Sequence, residues 1–365
     1  MSLPDLWFVI IAVLWTGFFV LEGFDFGVGM LHAVVSRSDT DRRVAINSIG
    51  PFWDGNEVWL IVAGAGMFAA FPAWYATWLS AGYLAVLLLL IALIVRGVTF
   101  EFRGKLDSGR WRRTWSGALT GGSLLAPFVL GVALGDLLAG LPVDKDQNFT
   151  GSFWSLFTGY GVLMGLTLVV LCLLHGAAFL ALRTTGGVRE RALRLGVPLA
   201  WVALVALSGF GVWTLDIASV GPVTYAVLTL APLAVLVALM SLRRDREGRA
   251  FAATAVAMAS TLIGFFGSLH PNLLVSSTDS AYNLTVSDSA SGHYALKVMT
   301  IVAVVLLPVV LAYQAYSYLV FRGRVGHPRV PRSVVRPSVV PRQRTSPPVE
   351  QSPGAAPPAP TPPGR

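Results

Sequence analysis

Charge is scarce in this chain: Asp, Glu, Lys and Arg make up only 13% of its 365 residues. An ordinary soluble domain carries about a quarter, so a water-soluble globular protein is excluded. Cysteine is scarcer still. Cys172 stands alone in an apolar stretch, which rules out a disulfide framework, a CxxCH haem-attachment sequence and iron–sulfur spacing. Cys172 itself reads as a small buried hydrophobe. The five histidines are scattered: His270, His293 and His327 fall in loops or tail, while His32 and His175 fall in apolar helices. Those last two can in principle form a bis-His pair, but their spacing lends it no support. A Gly-rich phosphate loop, a metal-ligand cluster and a nucleophile elbow are all missing. The chain thus offers no catalytic residue and no metal site of its own.

What is present is apolar. Hydrophobic residues make up 55% of the chain and the mean hydropathy is +0.67, the signature of a polytopic membrane protein. Nine runs are long enough to cross about 30 Å of hydrocarbon at about 1.5 Å per residue: 6–34, 51–71, 75–98, 115–139, 154–181, 195–215, 221–241, 250–268 and 295–320. The fold class is all-α. Asp5 and the lack of a basic leader mark the first run as a spanning helix and not a cleaved signal peptide.

The connections alternate in character. Those at 35–50, 99–114, 182–194 and 242–249 are Arg-rich, whereas 72–74, 140–153, 216–220 and 269–294 hold only Lys145. By the positive-inside rule the N-terminus is outside and the C-terminus cytoplasmic. The same distribution explains the net charge of +8 and argues against nucleic acid as a partner. The long polar stretch 269–294 is a folded cap, a partner-binding loop or a solvated connection. The membrane domain covers 1–322. From 323 to 365 Pro, Ser and Arg replace the apolar runs, and such a tail cannot bury a core and is expected to be disordered.

Against this background a few polar residues stand out. Glu22 and Asp25 lie three apart in the first span, and Asp54 and Glu57 repeat that spacing at the start of the second. Residues at this interval share a helix face. Asp25 is ten residues from the inner loop, about 15 Å of helical rise, and so sits near mid-membrane. Arg96 at the inner end of the third span, with Glu101 just beyond, completes the set. Ionisable groups at this depth are expensive and commonly mark proton or cation routes. The plainer alternative is that Arg96 neutralises one carboxylate to fasten helices. Trp53 and Asn56 flank the second acidic pair and shape its surroundings. Gly23 and Gly27 form a Gly-x-x-x-Gly pair suited to close helix contact.

These residues carry a resemblance. Gly23-Phe24-Asp25-Phe26-Gly27-Val28-Gly29 and the block from Asp41 through Gly50-Pro51-Phe52-Trp53-Asp54-Gly55-Asn56-Glu57-Val58-Trp59-Leu60 resemble subunit II of the cytochrome bd-type quinol oxidases. Val95-Arg96-Gly97-Val98-Thr99-Phe100-Glu101, Pro271 through Ser277, and Leu296 through Thr300 are similar as well. The resemblance spans roughly 1–322 and omits the Pro-rich tail. It implies two four-helix bundles plus one extra helix, in a bacterial complex that oxidises membrane quinol and reduces dioxygen to water. It also implies a partner, subunit I, that holds haem b558, haem b595 and haem d. This chain would be haem-free, with room for a structural quinone, and small accessory membrane subunits are compatible with it. Asp25, Asp54, Arg96 and Glu101 match the family's cytoplasmic proton route, and Glu101 stands where other members have Asp. Glu57 stands where some members have an amide. The two sequon matches, at Asn148 and Asn283, are accidental in a bacterial chain.

The expectation is therefore a haem-free second subunit that steadies the haem subunit and feeds it protons through Asp54 and Asp25. The rival class is a cation- or proton-coupled secondary transporter, whose carboxylates would bind the coupling ion near the midplane.

Overall fold

The computed structural model describes residues 2–326. The first helix, α1 (Leu3–Leu31), starts at a capping box in which Ser2 Oγ accepts from the Asp5 amide and the Asp5 carboxylate accepts from the Ser2 amide. Ten more helices follow: α2 (Asp39–Ile49), α3 (Trp53–Ala70), α4 (Pro72–Ala81), α5 (Tyr83–Phe102), α6 (Gly109–Ala139), α7 (Gly159–Arg183), α8 (Gly186–Ile217), α9 (Pro222–Leu242), α10 (Glu247–Leu269) and α11 (His293–Val320). Eight of them, α1 and α5 through α11, are long and apolar enough to cross a membrane.

Three departures from the sequence reading have local causes. The second expected span exists as α3, but its 18 residues begin with Asp54, Asn56 and Glu57 and fall short in apolarity. The third, expected as one helix over 75–98, is two helices. Pro72 opens α4, and the chain breaks again at Gly82 before α5 runs on to Phe102. The connection at 35–50 contains α2, whose amides are capped by Ser38 Oγ accepting from Asp41 N at 3.1 Å. Its acidic first turn suits the positive end of the helix dipole.

The helices group as α1, α3, α5 and α6 on one side and α7 to α10 on the other, with α11 lying along α1 and α3. This is the expected pair of four-helix bundles plus one helix. Helices α1 and α6 join the groups, because α1 also packs against α7 and α10 and α6 packs against α7. Close contact there depends on glycine. A Cβ on Gly27 would lie 1.9 Å from the Cys172 carbonyl oxygen and 2.8 Å from Gly176 Cα. The Gly-x-x-x-Gly pair of α1 is thus a crossing point.

On the face away from the basic connections the polar stretch 269–294 is a folded cap. Strands β1 (Asn272–Leu274) and β2 (Leu284–Thr285) pair antiparallel, and Leu141 bridges to Ser276 alongside them. Gln147 Nε2 donates to the Tyr282 carbonyl at 2.9 Å, tying in the 140–153 connection. In that connection Asp144 Oδ1 accepts from the amides of Asp146 and Asn148. Those bonds hold the exposed Asp144 carboxyl below its usual range.

On the basic face several arginines fasten helices. Arg103 pairs with Asp39 on α2, and Arg191 on α8 pairs with Asp41 at 2.7 Å. Beyond α11, Val325 N donates to the Arg183 carbonyl at 2.7 Å, and Thr185 N donates to the Val325 carbonyl at 3.1 Å. The segment through Gly326 is therefore held against the α7–α8 junction. The remainder of the Pro-rich tail, 327–365, lies outside the described residues.

Gly27→Ala forces α1 and α7 apart and is expected to cost about 1–3 kcal/mol. Gly211→Ala, on α8 with open space around its Cα, is expected to leave stability unchanged or slightly raised. Thermal unfolding of the two purified variants checks the contrast.

Candidate functional site

Arg96 is the centre of the buried polar residues. It is fully buried on α5, and its chain lies against Gly122 of α6, where a Cβ would approach Arg96 Cβ to 2.9 Å. Its guanidinium reaches two carboxylates: Nη2 to Glu22 Oε1 at 2.5 Å and Nη1 to Glu57 Oε2 at 2.9 Å. The Phe26 ring lies 4.8 Å and the Phe100 ring 5.7 Å from its Cζ. A cation over an aromatic face gains further attraction. Glu22 is fully buried, whereas the Glu57 side chain keeps 24% exposure.

Asn56 ties this group to its neighbours with four hydrogen bonds. Its Nδ2 donates to Asp25 Oδ2 at 2.6 Å and to the Leu21 carbonyl at 3.1 Å. Its Oδ1 accepts from Gln314 Nε2 at 2.8 Å and from the Tyr318 hydroxyl at 2.9 Å. Tyr318 is held in turn by stacking on Phe52, with 4.6 Å between ring centroids. One amide thereby links α1, α3 and α11. Gln314 and Tyr318 escaped the sequence reading. Their signal was a pair of hydrogen-bonding side chains four residues apart near the end of a largely apolar helix, which places both on one face.

Five of the residues singled out from sequence are thus brought together: Glu22, Asp25, Asn56, Glu57 and Arg96. Asp54 and Glu101 are not. Both are exposed, and neither makes a hydrogen bond or ion pair among the described residues. Helix geometry gives the reason. At about 100° per residue, Asp54 points away from Asn56 on α3, and Glu101 lies about 140° around α5 from Arg96. Glu57 sits between these faces, at the edge of the cluster. Trp53 stacks on Phe100 with 4.6 Å between centroids, so it joins α3 to α5 and backs the ring that lies by Arg96. Of the acidic pair on α3, Glu57 belongs to the buried network and Asp54 to the surface.

The helical histidines are held separately. His175 Nε2 meets the Val20 carbonyl at 3.1 Å and Nδ1 meets Thr254 Oγ1 at 2.7 Å. Its ring stacks on Phe251 with centroids 4.5 Å apart. A carbonyl only accepts, so Nε2 carries the proton and Nδ1 faces the hydroxyl. His32 Nδ1 meets the Gly29 carbonyl at 2.7 Å. Another buried acid, unnoticed in the sequence, lies toward the capped face. Asp136 Oδ1 accepts from Thr158 Oγ1 at 2.5 Å, and Thr158 caps α7.

A cavity of 490 Å³ runs between α1, α3, α4, α5 and α6, lined by Trp15, Leu60, Met67, Trp78, Leu89 and Val129 among others. Both indole N–H groups are already used, Trp15 on Met67 Sδ and Trp78 on the Ala133 carbonyl. The lining suits a hydrocarbon chain far better than a polar ring.

Removing the cation from this network should be severe. Arg96→Gln leaves buried carboxylates unpaired, and breaking such a pair costs about 3–5 kcal/mol. The double variant with Glu22→Gln is expected to recover part of the lost thermal stability, as measured on the purified protein.

Residues 3–321 match the family described as cytochrome bd terminal oxidase subunit II. The chain is 44% identical over 330 residues to cytochrome bd ubiquinol oxidase subunit 2 of Bacillus subtilis, covering 89% of this chain and 98% of that protein. It is 35% identical over 357 residues to cytochrome bd-I ubiquinol oxidase subunit 2 of Escherichia coli K12, covering 88% of this chain and 94% of that one. Among solved structures, a chain of the bd oxidase from Geobacillus thermodenitrificans shares the fold, with a TM-score of 0.65 at 18% identity over 88% of this chain and 99% of that one. The chain belongs to the cytochrome bd terminal oxidase subunit II family, which makes it a multi-pass subunit of a quinol:oxygen oxidoreductase complex in the bacterial plasma membrane.

Proposed function

We propose that this chain is the haem-free subunit of the oxidase, that it steadies the haem-bearing subunit I, and that it carries protons from the cytoplasm toward the oxygen-reducing site. The observation that carries the reading is the network of Glu22, Asp25 and Glu57 around the fully buried Arg96. Two carboxyls pair with one guanidinium, a third is held by Asn56, and an unbalanced buried charge is costly. Such a group has reason to hold a proton, and chains of acidic residues in membranes commonly serve as proton relays. Membership of an oxidase family sets aside the secondary-transporter alternative.

The basic connections orient the Arg96 end toward the cytoplasm. A proton taken up at exposed Asp54 passes to Glu57 one helical turn on, then across the Arg96 pairings to Glu22 and Asp25. Asn56 positions Asp25, and Arg96 sets the local field. Glu101 lies on the same exposed side of the bundle and helps to gather protons at its surface.

The exposed flanks of α3 and α5, together with α11, form the surface proposed for subunit I. Leu296 alone is buried in α11, although that helix is strongly apolar. In a membrane such a face meets lipid or a neighbouring helix, and the subunit I partner implied by the family supports the second reading here. In the proposed complex haem b558, haem b595 and haem d belong to subunit I, where they supply electron transfer and oxygen reduction. The apolar cavity would accept the chain of a structural quinone or a lipid, with Trp15 and Trp78 as its walls.

Asp54→Asn in the intact complex tests the uptake step. Quinol-driven oxygen consumption is expected to fall on the order of tenfold or more, with the haem spectra intact. Normal consumption with normal assembly removes Asp54 from the route, and loss of the haem spectra makes its role structural.

A further inference from the structure

A second row of polar groups leads from the basic face to the same carboxylates along the seam between α1 and α6. It begins at Arg103, whose Nε donates to Ser116 Oγ at 2.9 Å and whose guanidinium pairs with Asp39. Asp39 is one-third exposed and also meets Arg112, so this end opens to solvent. Ser116, Thr120 and Ser123 follow one another on α6 at intervals of four and three, on one face. They meet α1 at Gly29. Thr120 Oγ1 donates to the Gly29 carbonyl at 3.3 Å. Ser123 Oγ lies so near that a Cβ on Gly29 would be 2.0 Å from it.

His32 occupies the same place. Its Nδ1 donates to the Gly29 carbonyl, which leaves Nε2 as a bare acceptor. That nitrogen is buried without a hydrogen-bond partner, as are Ser123 Oγ, Asp25 Oδ1 and Arg96 Nε. His32, Ser123, Asp25 and Arg96 are all fully buried. Leaving such groups unpartnered is costly, and internal water commonly satisfies them. The groups also lie on neighbouring turns of α1, α5 and α6. Gly29 is four residues from Asp25, about 6 Å along α1, and Ser123 adjoins Gly122, the residue against which Arg96 lies.

We propose that a file of internal water runs along the α1–α6 seam and forms a second proton branch, from the Asp39–Arg103 mouth to Asp25 and Glu22. It rests on the reading of that cluster as a proton-carrying site. Along the file each water, and the Ser123 hydroxyl, accepts one proton and releases another, so no net chemistry occurs. His32 is a positioning residue whose Nε2 orients a water. Arg42 and Arg103 face the seam as cations near His32, and Asp39 at the mouth offsets Arg103 and Arg112. This branch enters between α1 and α6, whereas Asp54 and Glu57 serve the α3 side.

The decisive experiment joins a high-resolution map of the intact oxidase with proton-uptake kinetics. Ordered water is expected between Ser123 Oγ, His32 Nε2 and Asp25 Oδ1, and a dry seam overturns the proposal without any variant being made. Ser123→Ala, which removes the hydroxyl and adds no bulk, is expected to slow cytoplasmic proton uptake severalfold with haem spectra unchanged. Normal uptake in Ser123→Ala overturns the second branch even if water is seen. Asp25→Asn separates the two levels. Slowed uptake there with normal uptake in Ser123→Ala sinks only the branch. Normal uptake in both also sinks the reading of the cluster on which it rests.

Discussion

The fully buried guanidinium of Arg96 governs the interior of this protein. Arg96 holds Glu22 from α1 and Glu57 from α3 while sitting on α5 against α6, so four helices meet around one charge. Burying an ion pair gives little net stability, since desolvation offsets most of the attraction. Its worth lies elsewhere. Once the helices have closed around Arg96, neither the cation nor its carboxylates can be removed singly without a large penalty, and this keeps an acidic cluster in place at membrane depth.

The rest of the bundle serves that placement. Gly27 and Gly176 let α1 approach α7 closely, which fixes the face that α1 turns toward α3, α5 and α6. Asn56 uses all of its hydrogen-bonding capacity on α1 and α11. The Tyr318–Phe52 and Trp53–Phe100 stacks hold the outer members of the cluster. Helix α11 contributes two polar side chains to the site yet leaves nearly all its apolar surface uncovered, which suits a subunit that completes itself against a partner.

Much of this was legible in the sequence. The run lengths and the alternation of basic and neutral connections found the helices, and the rare intramembrane charges found Glu22, Asp25, Glu57 and Arg96. Linear spacing could not say which way each side chain points. Asp54 and Glu57 looked equivalent at an interval of three, but a rotation of about 60° separates a surface acid from a buried one. The break at Gly82 was hidden because apolar residues flank it on both sides. The contribution of Gln314 and Tyr318 was hidden by distance, since they come from more than 250 residues further along the chain to meet Asn56. The folded cap was legible only as an open alternative, because its short strands are completed by links to a connection far away in sequence, at Leu141 and Gln147.

The chain belongs to the cytochrome bd terminal oxidase subunit II family, and a chain of a solved bd oxidase shares its fold; in the function proposed above the buried acids have a task beyond support of a partner. The central claim is that the carboxyls around Arg96 carry a proton that moves during turnover. Infrared difference spectroscopy of the intact complex, between its oxidised and quinol-reduced states, tests this most directly. A protonated-carboxyl band that shifts in deuterated water, changes on reduction and disappears when Glu22 and Asp25 are replaced by their amides is the predicted result. A carboxyl region that does not change on reduction would contradict it.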